Sequence, residues 1–338
     1  MTENYNSRRV AIACQGGGSH TAFTAGVLKR LLAEKQGKYE VVALSGTSGG
    51  AICAFLVWYA LLDEYGAKAA RLLDSFWSDN SADTFHEKFV NDWFVWTNRL
   101  EGAVVLPSVS PYNTYLSSWA QDRLRKMLER LQIDFESLEE RAVSSDLMLL
   151  VGAVDVLSGE FKAFSSFRGE VGLDAILDSA ALPTLFRAVH IGEGVYWDGL
   201  FSQNPPVREL TKAKPDEIWV IQTNPEKRDC EPKSMADILD RRNELAGNLS
   251  LHQEIHFVEE INELVDKLGE VEDPAVKRLP LPGGDKEYKT IEVRRIELSE
   301  PLDAASKLDR SPLFVRRLMD HGDRRAGEFL EAIAFETA

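Results

Sequence analysis

The chain has 338 residues, 44% hydrophobic and 28% charged, an ordinary globular composition that permits one large domain or two modest ones. Its formal net charge is −15, which repels a polyphosphate partner, and no basic patch offsets it, so nucleic acid is excluded. Cys14, Cys53 and Cys230 are odd in number, far apart and without metal-ligand spacing; they read as reduced thiols, which places the chain in the cytoplasm.

Arg8 and Arg9 lead directly into "VAIAC", too short for the apolar region of a secretory signal and best read as a first strand over 10–14. A glycine turn and a helix over 21–35 follow, then a strand over 41–45, a second glycine turn and a helix over 49–62. The longest apolar run, 51–62, falls short of the roughly 20 residues that span a bilayer. The expectation is a protein that does not cross a membrane but can touch its surface. Helices over 68–77 and 117–131 flank residues 78–116, where the aromatic-rich "FHEKFVNDWFVW" and the loop "LPSVSPYN" interrupt the pattern as an inserted cap. Phe85, Phe89, Trp93 and Trp96 recur at helical spacing, which predicts a face packed on the body; a lid or a lipid-touching face is the alternative. Further strands are expected over 147–156, 160–164, 195–197, 218–222 and 290–298, and helices over 173–180, 250–268 and 312–335, with "PGGDKEY" at 282–288 as a turn. The alternation of strand, turn and helix predicts an α/β fold: a mostly parallel central sheet with helices on both faces. No internal repeat or flexible linker appears, so residues 1–338 read as one domain, with 250–338 an extension of helix, strand and helix packed on it.

Within this frame, Gly46-Thr47-Ser48-Gly49-Gly50 fits the G-x-S-x-G nucleophile elbow, with a strand before it and a long helix after it. The turn leaves no room for side chains beside the serine, hence the glycines, and the unpaired amides opening the helix favour an anion formed next to Ser48. The plainer alternative is a glycine-rich turn with a capping serine. Gly16, Gly17 and Gly18, between the first strand and its helix, expose successive backbone amides. A dinucleotide fingerprint would need glycine where Thr21 stands and an acid near Leu44 or Ser45, and a P-loop would need Gly-Lys-Ser/Thr, so an oxyanion hole is the better use of the three glycines.

A serine nucleophile needs a base. His252 and His256 in "HQEIH" do not form the H-E-x-x-H zinc signature, so no metal or other cofactor is expected. His321 would complete a Ser, Asp, His order but sits in a polar C-terminal helix. Asp198 in "GVYWDGLFSQNPPV" ends an aromatic strand before Gly199, where a strand opens into a loop. Spacing alone leaves it either a turn aspartate or the base, and an unperturbed Asp, with a pKa of about 3.9, is a weak base.

Together, "GGGSHTAFTAG", "GTSGG" and "SAALPTLFRAVHIGEGVYWDGLFSQNPP", with "VDVLSGEFKAF" between them, resemble the patatin-like phospholipase family over most of residues 10–222. The resemblance implies a patatin-like three-layer sandwich and a lipid acyl hydrolase, of phospholipase A or lysophospholipase type, that works through a Ser-Asp dyad and an acyl-enzyme, without metal or catalytic histidine. By motif position Ser48 would be the nucleophile, Asp198 the base, Gly16 to Gly18 the oxyanion loop and Gly46, Gly49 and Gly50 the elbow. Lipid or another acyl ester would be the substrate, with transient membrane-surface contact. The chain departs from the family at His20 and Thr21, where Arg or Lys and then Gly are usual, and at Leu200, where Gly or Ala follows Asp-Gly. A patatin-fold lipid-binding or regulatory protein of little activity is therefore the alternative.

Overall fold

The run "RRVAIAC" becomes the middle of the molecule. The computed structural model describes residues 7–35, 38–63, 66–82, 110–113, 115–183, 186–270, 289–300 and 302–336. In it β1 (Arg8–Cys14), buried from Val10 onward, pairs in parallel with β2 (Tyr39–Gly46) on one side and β7 (Glu217–Gln222) on the other. β3 (Met148–Asp155) and β8 (Glu292–Glu297) continue the parallel array outward. β4 (Phe161–Ser165), β6 (Gly194–Asp198) and β5 (Val189–Ile191) add antiparallel pairings, so the eight-stranded sheet is mostly parallel with an antiparallel margin. β8 is an outer strand rich in charge of both signs, with Arg294 bonded to Glu217 and Glu292, which suits an edge that must not recruit another strand.

Strand alternation sorts the core into two faces. Val10, Ile12, Cys14, Leu149, Val151, Trp219 and Ile221 pack against α1 (Ala22–Glu34), α2 (Gly49–Leu61) and α8 (Pro312–Glu336). Ala11, Ala13, Ala43, Leu150, Ile218 and Val220 point the other way, onto Leu251, Ile255 and Val258 of α7 (Met235–Glu270). α3 (Gly66–Asn80), α4 (Tyr115–Arg130), α5 (Leu138–Val143) and α6 (Leu173–Ser179) are the other α-helices among the described residues. α2 has no polar face and is buried from Gly50 to Ala60. Its Ile52, Phe55, Leu56, Val57 and Trp58 contribute roughly 1.5–3 kcal/mol each, and the Trp58 indole N–H is satisfied by the Leu147 carbonyl at 2.9 Å.

The sequence reading omitted β5, which is only three residues long, and α5, and it began α7 at 250 rather than 235. The reason in α7 is physical: from 235 to 249 the helix exposes Met235, Ile238, Leu239, Leu245 and Leu249 and turns Glu244 and Asn248 inward, the reverse of the usual pattern. Most of the expected cap, 83–109, and the turn at 282–288 lie outside the described residues.

Candidate active site

Two strand ends meet over β3. β4 pairs along one edge of β3; along the other, β2 pairs as far as Gly46 opposite Val151, and β6 takes over with Asp198 opposite Ala153. Only Gly152 separates them, so the chain leaving β2 and the chain leaving β6 emerge side by side. Thr47 is locked there, its hydroxyl donating to the Gln203 carbonyl at 2.6 Å.

Ser48 stands next, with φ 57° and ψ −133°, a left-handed conformation costing a non-glycine residue about 1–3 kcal/mol. The burial of α2 immediately behind it outweighs that strain several-fold. Its amide donates to Ser179 Oγ at 2.9 Å, and Ser179 Oγ donates in turn to the Gly152 carbonyl at 2.7 Å. The turn is packed so closely that a Cβ on Gly50 would collide with the Cys14 carbonyl, and one on Gly46 would lie 2.6 Å from Ala51 Cα.

Asp198 is 1% exposed. Burial pushes its carboxyl up to about 7, against the downward pull of the neighbouring Ser48 side chain and of the Leu200 amide, which donates to Oδ1 at 2.9 Å. Ser48 and Asp198 are thus brought together, in a setting that makes the aspartate far more basic than a solvated one. A rise of that size is worth roughly 4 kcal/mol of proton affinity.

The glycine loop closes over the same point. A Cβ on Gly16 would sit 2.8 Å from Ser48 Cβ and 2.6 Å from the Thr47 carbonyl, so no other residue fits there. Gly16 N–H donates to Asn204 Oδ1 at 2.7 Å, and its carbonyl accepts from Thr223 Oγ at 3.1 Å. Gly16 is therefore a brace. The amides of Gly17 and Gly18, and that of Gly49 opening α2, donate to no group among the described residues. Gln15 fixes the start of the loop, bonding Asn248 of α7 and accepting from Thr223 and Asn224 N–H. Behind it, and against the upward push of burial, Arg228 and Lys307 hold the Glu244 carboxyl well below the usual carboxylate range, with Arg241 also in contact.

A family model described as patatin-like phospholipase matches residues 12–211, more than half of the chain. The chain belongs to the patatin-like phospholipase family. No curated protein matches. Among solved structures the chain is similar to VipD from Legionella pneumophila, at 13% identity and a TM-score of 0.39, covering 94% of this chain and 67% of that one. It is also similar to ExoU from Pseudomonas aeruginosa, solved in complex with SpcU, at 15% identity and a TM-score of 0.30, with 73% of this chain and 51% of that one covered.

The two departures of this patatin-like chain have structural answers. His20 is 2% exposed and points inward, its Nε2 at 2.8 Å from Ser306 Oγ and its ring against Phe314, with burial lowering its pKa to about 3. It braces the loop as a neutral ring rather than meeting a head group. The Leu200 side chain lies towards Gly247 of α7, with Cδ1 3.4 Å from where a Gly247 Cβ would stand. Three other histidines are engaged elsewhere: His321 with Glu300 and Ser299, His252 with Glu226, His256 with Glu259 and Glu260. Among the described residues no group of three or more His, Cys, Asp or Glu is placed to hold a metal, and no helix is long and apolar enough to cross a membrane. A cleft of about 1200 Å³ lined by Arg9, Glu40, Lys212 and Lys289 opens at the other, N-terminal ends of the strands, remote from Ser48.

Sequence reasoning missed Ser179, Asn204 and Asp178. Ser179 and Asn204 lie inside the stretch that carries the family resemblance, but their roles depend on contacts 25 or more residues away in sequence, which no local pattern reports.

Proposed function

We propose that this protein hydrolyses carboxylic esters of lipids, of the phospholipase A or lysophospholipase kind, through Ser48 and Asp198. The family assignment supports lipid ester hydrolysis, and the observation that carries the mechanism is Asp198 buried against Ser48 with a pKa raised to about 7. Asp198 takes the Ser48 proton as Oγ attacks the ester carbonyl. The tetrahedral oxyanion is met by free amides of Gly17, Gly18 and Gly49 at the positive end of α2, each such donor typically worth roughly 3–4 kcal/mol of barrier. Asp198 returns the proton to the leaving alcohol, then deprotonates the water that releases the acyl group. Because the base must be ionised, kcat/KM should rise with pH through about 7.

The surface beside the site suits a lipid aggregate. α7 packs against the turn Gly199–Phe201, and the five exposed apolar residues of its first half fall within about 120° of the helix circumference. Phe201 is exposed as well. With a net charge of −15 the contact favours neutral lipid over anionic lipid. The test is fatty-acid release from phosphatidylcholine vesicles by wild type and Ser48→Ala. Release that falls at least about 1000-fold in the variant supports the reading; release by the variant at the wild-type rate overturns it.

A further inference from the structure

Asp178, the penultimate residue of α6, is 0% exposed, and neither of its carboxyl oxygens has a hydrogen-bond partner among the described residues. A buried carboxylate without a hydrogen bond or a cation is unstable; such a group persists as the neutral acid. Its position ties it to the site twice. It precedes Ser179, whose hydroxyl holds the Ser48 amide. Its own carbonyl accepts from Ala181 N–H at 2.7 Å, and the Ala181 carbonyl accepts from Asp198 N–H at 3.1 Å, so one turn of backbone joins the two aspartates.

Five elements that pack against α6 bring ionisable groups. β6 brings Asp198 and Tyr196, β3 Asp155, β5 His190, and α2 the Cys53 thiol and the Tyr59 phenol. α4 brings Asp122, Arg123, Arg125, Lys126, Glu129 and Arg130, of which Arg125 is spent on Asp174 and Arg130 on Asp79. Of these, Asp198 raises Asp178 by its charge.

We propose that Asp178 is a positioning residue of the active site: it and Asp198 form a carboxyl pair that holds one proton in the competent enzyme, with Asp178 as the acid and Asp198 as the base. Two carboxyls in one dry site do not both ionise readily, and their titrations belong to the pair. The proton settles on Asp178 because the Asp198 carboxyl accepts from the Leu200 amide and has the Ser48 side chain beside it, whereas the Asp178 oxygens have no donor among the described residues. Burial and the charge of Asp198 push Asp178 up to about 9, consistent with that order. Above this pH the second carboxyl ionises beside Asp198, and the new buried charge draws α6, with Ser179, towards water. The competent form is therefore bounded on both sides, by protonation of Asp198 below about 7 and ionisation of Asp178 above about 9.

This inference rests on the Ser48–Asp198 reading, and its test separates the two. The pH dependence of kcat/KM on a monomeric ester should be bell-shaped for wild type, with the rate at pH 10 about one tenth of that at pH 8. In Asp178→Asn, which cannot ionise, that ratio should return to near 1. A wild type without an alkaline limb, or a variant that retains it, overturns the proposal. Should the variant not fold, difference infrared spectroscopy of wild type gives an answer independent of turnover. A protonated-carboxyl carbonyl band present at pH 8 and lost near pH 9 to 10 supports the pair even if Ser48→Ala shows the catalytic reading to be wrong. Absence of that band at pH 8 overturns it.

Discussion

Ser48 and Asp198 stand side by side, yet they are held by different physics. The serine side comes from the first two strand–turn–helix units and is made of backbone: a left-handed residue, glycines that admit close approach, and free amides at the start of a buried helix. The aspartate side comes from α6, β6 and residues 199–204 and is made of buried polar side chains: Asp198, Asp178, Ser179 and Asn204, each at most 1% exposed. One side supplies geometry and the other proton affinity. A steric insult should therefore act most strongly on the serine side, and an electrostatic one should change pH behaviour on the aspartate side.

Gly16→Ala is the strongest steric test after loss of Ser48 itself. Its methyl would land on Ser48 Cβ and the Thr47 carbonyl, displacing Ser48 or the loop, and kcat should fall about 100-fold or more. Ser179→Ala links the two sides. It strips the Ser48 amide and the Gly152 carbonyl of a shared partner, a cost of about 1–3 kcal/mol, so kcat should drop roughly tenfold while KM moves less. Ser179→Thr, if its hydroxyl keeps both bonds, should recover part of that loss.

The smallest expected effect is on stability. Asp178 has a raised pKa in the folded protein, so its contribution is complete below the unfolded value of about 3.9 and is lost as pH rises through about 9. Histidines buried as neutral rings act in the opposite sense but only below about 6.5, and unfolded thiols enter near 8.5. Between pH 7 and 8, wild type should thus lose about 1.4 kcal/mol of stability that Asp178→Asn retains. Melting temperatures at the two pH values check this, and equal slopes in the two proteins would remove Asp178 as the cause.

The same division explains what the sequence made legible. Strands and helices from β1 to α2, and the elbow at Ser48, follow from continuous apolar runs punctuated by glycine, because their contacts are local. Asp198 remained ambiguous on spacing alone, since a turn aspartate before glycine has the same local pattern as a base; its burial against Ser48 depends on β6 replacing β2 along the edge of β3. The three-glycine loop was recognised, but not that Asn204, nearly 200 residues later, occupies the Gly16 amide and leaves Gly17 and Gly18 free. Asp178 gave no signal because an acid inside the helix "LDAILDS" looks like a solvated one until its burial is known. The start of α7 was hidden because its apolar residues face outward.

The most direct test of the Ser48–Asp198 pair is intact-mass analysis after exposure to a fluorophosphonate at pH 8, for wild type, Ser48→Ala and Asp198→Asn. One covalent adduct on wild type, none on Ser48→Ala and labelling slowed about 100-fold or more on Asp198→Asn is the predicted result. An adduct that forms on folded Ser48→Ala as fast as on wild type, or on Asp198→Asn at an undiminished rate, would contradict it.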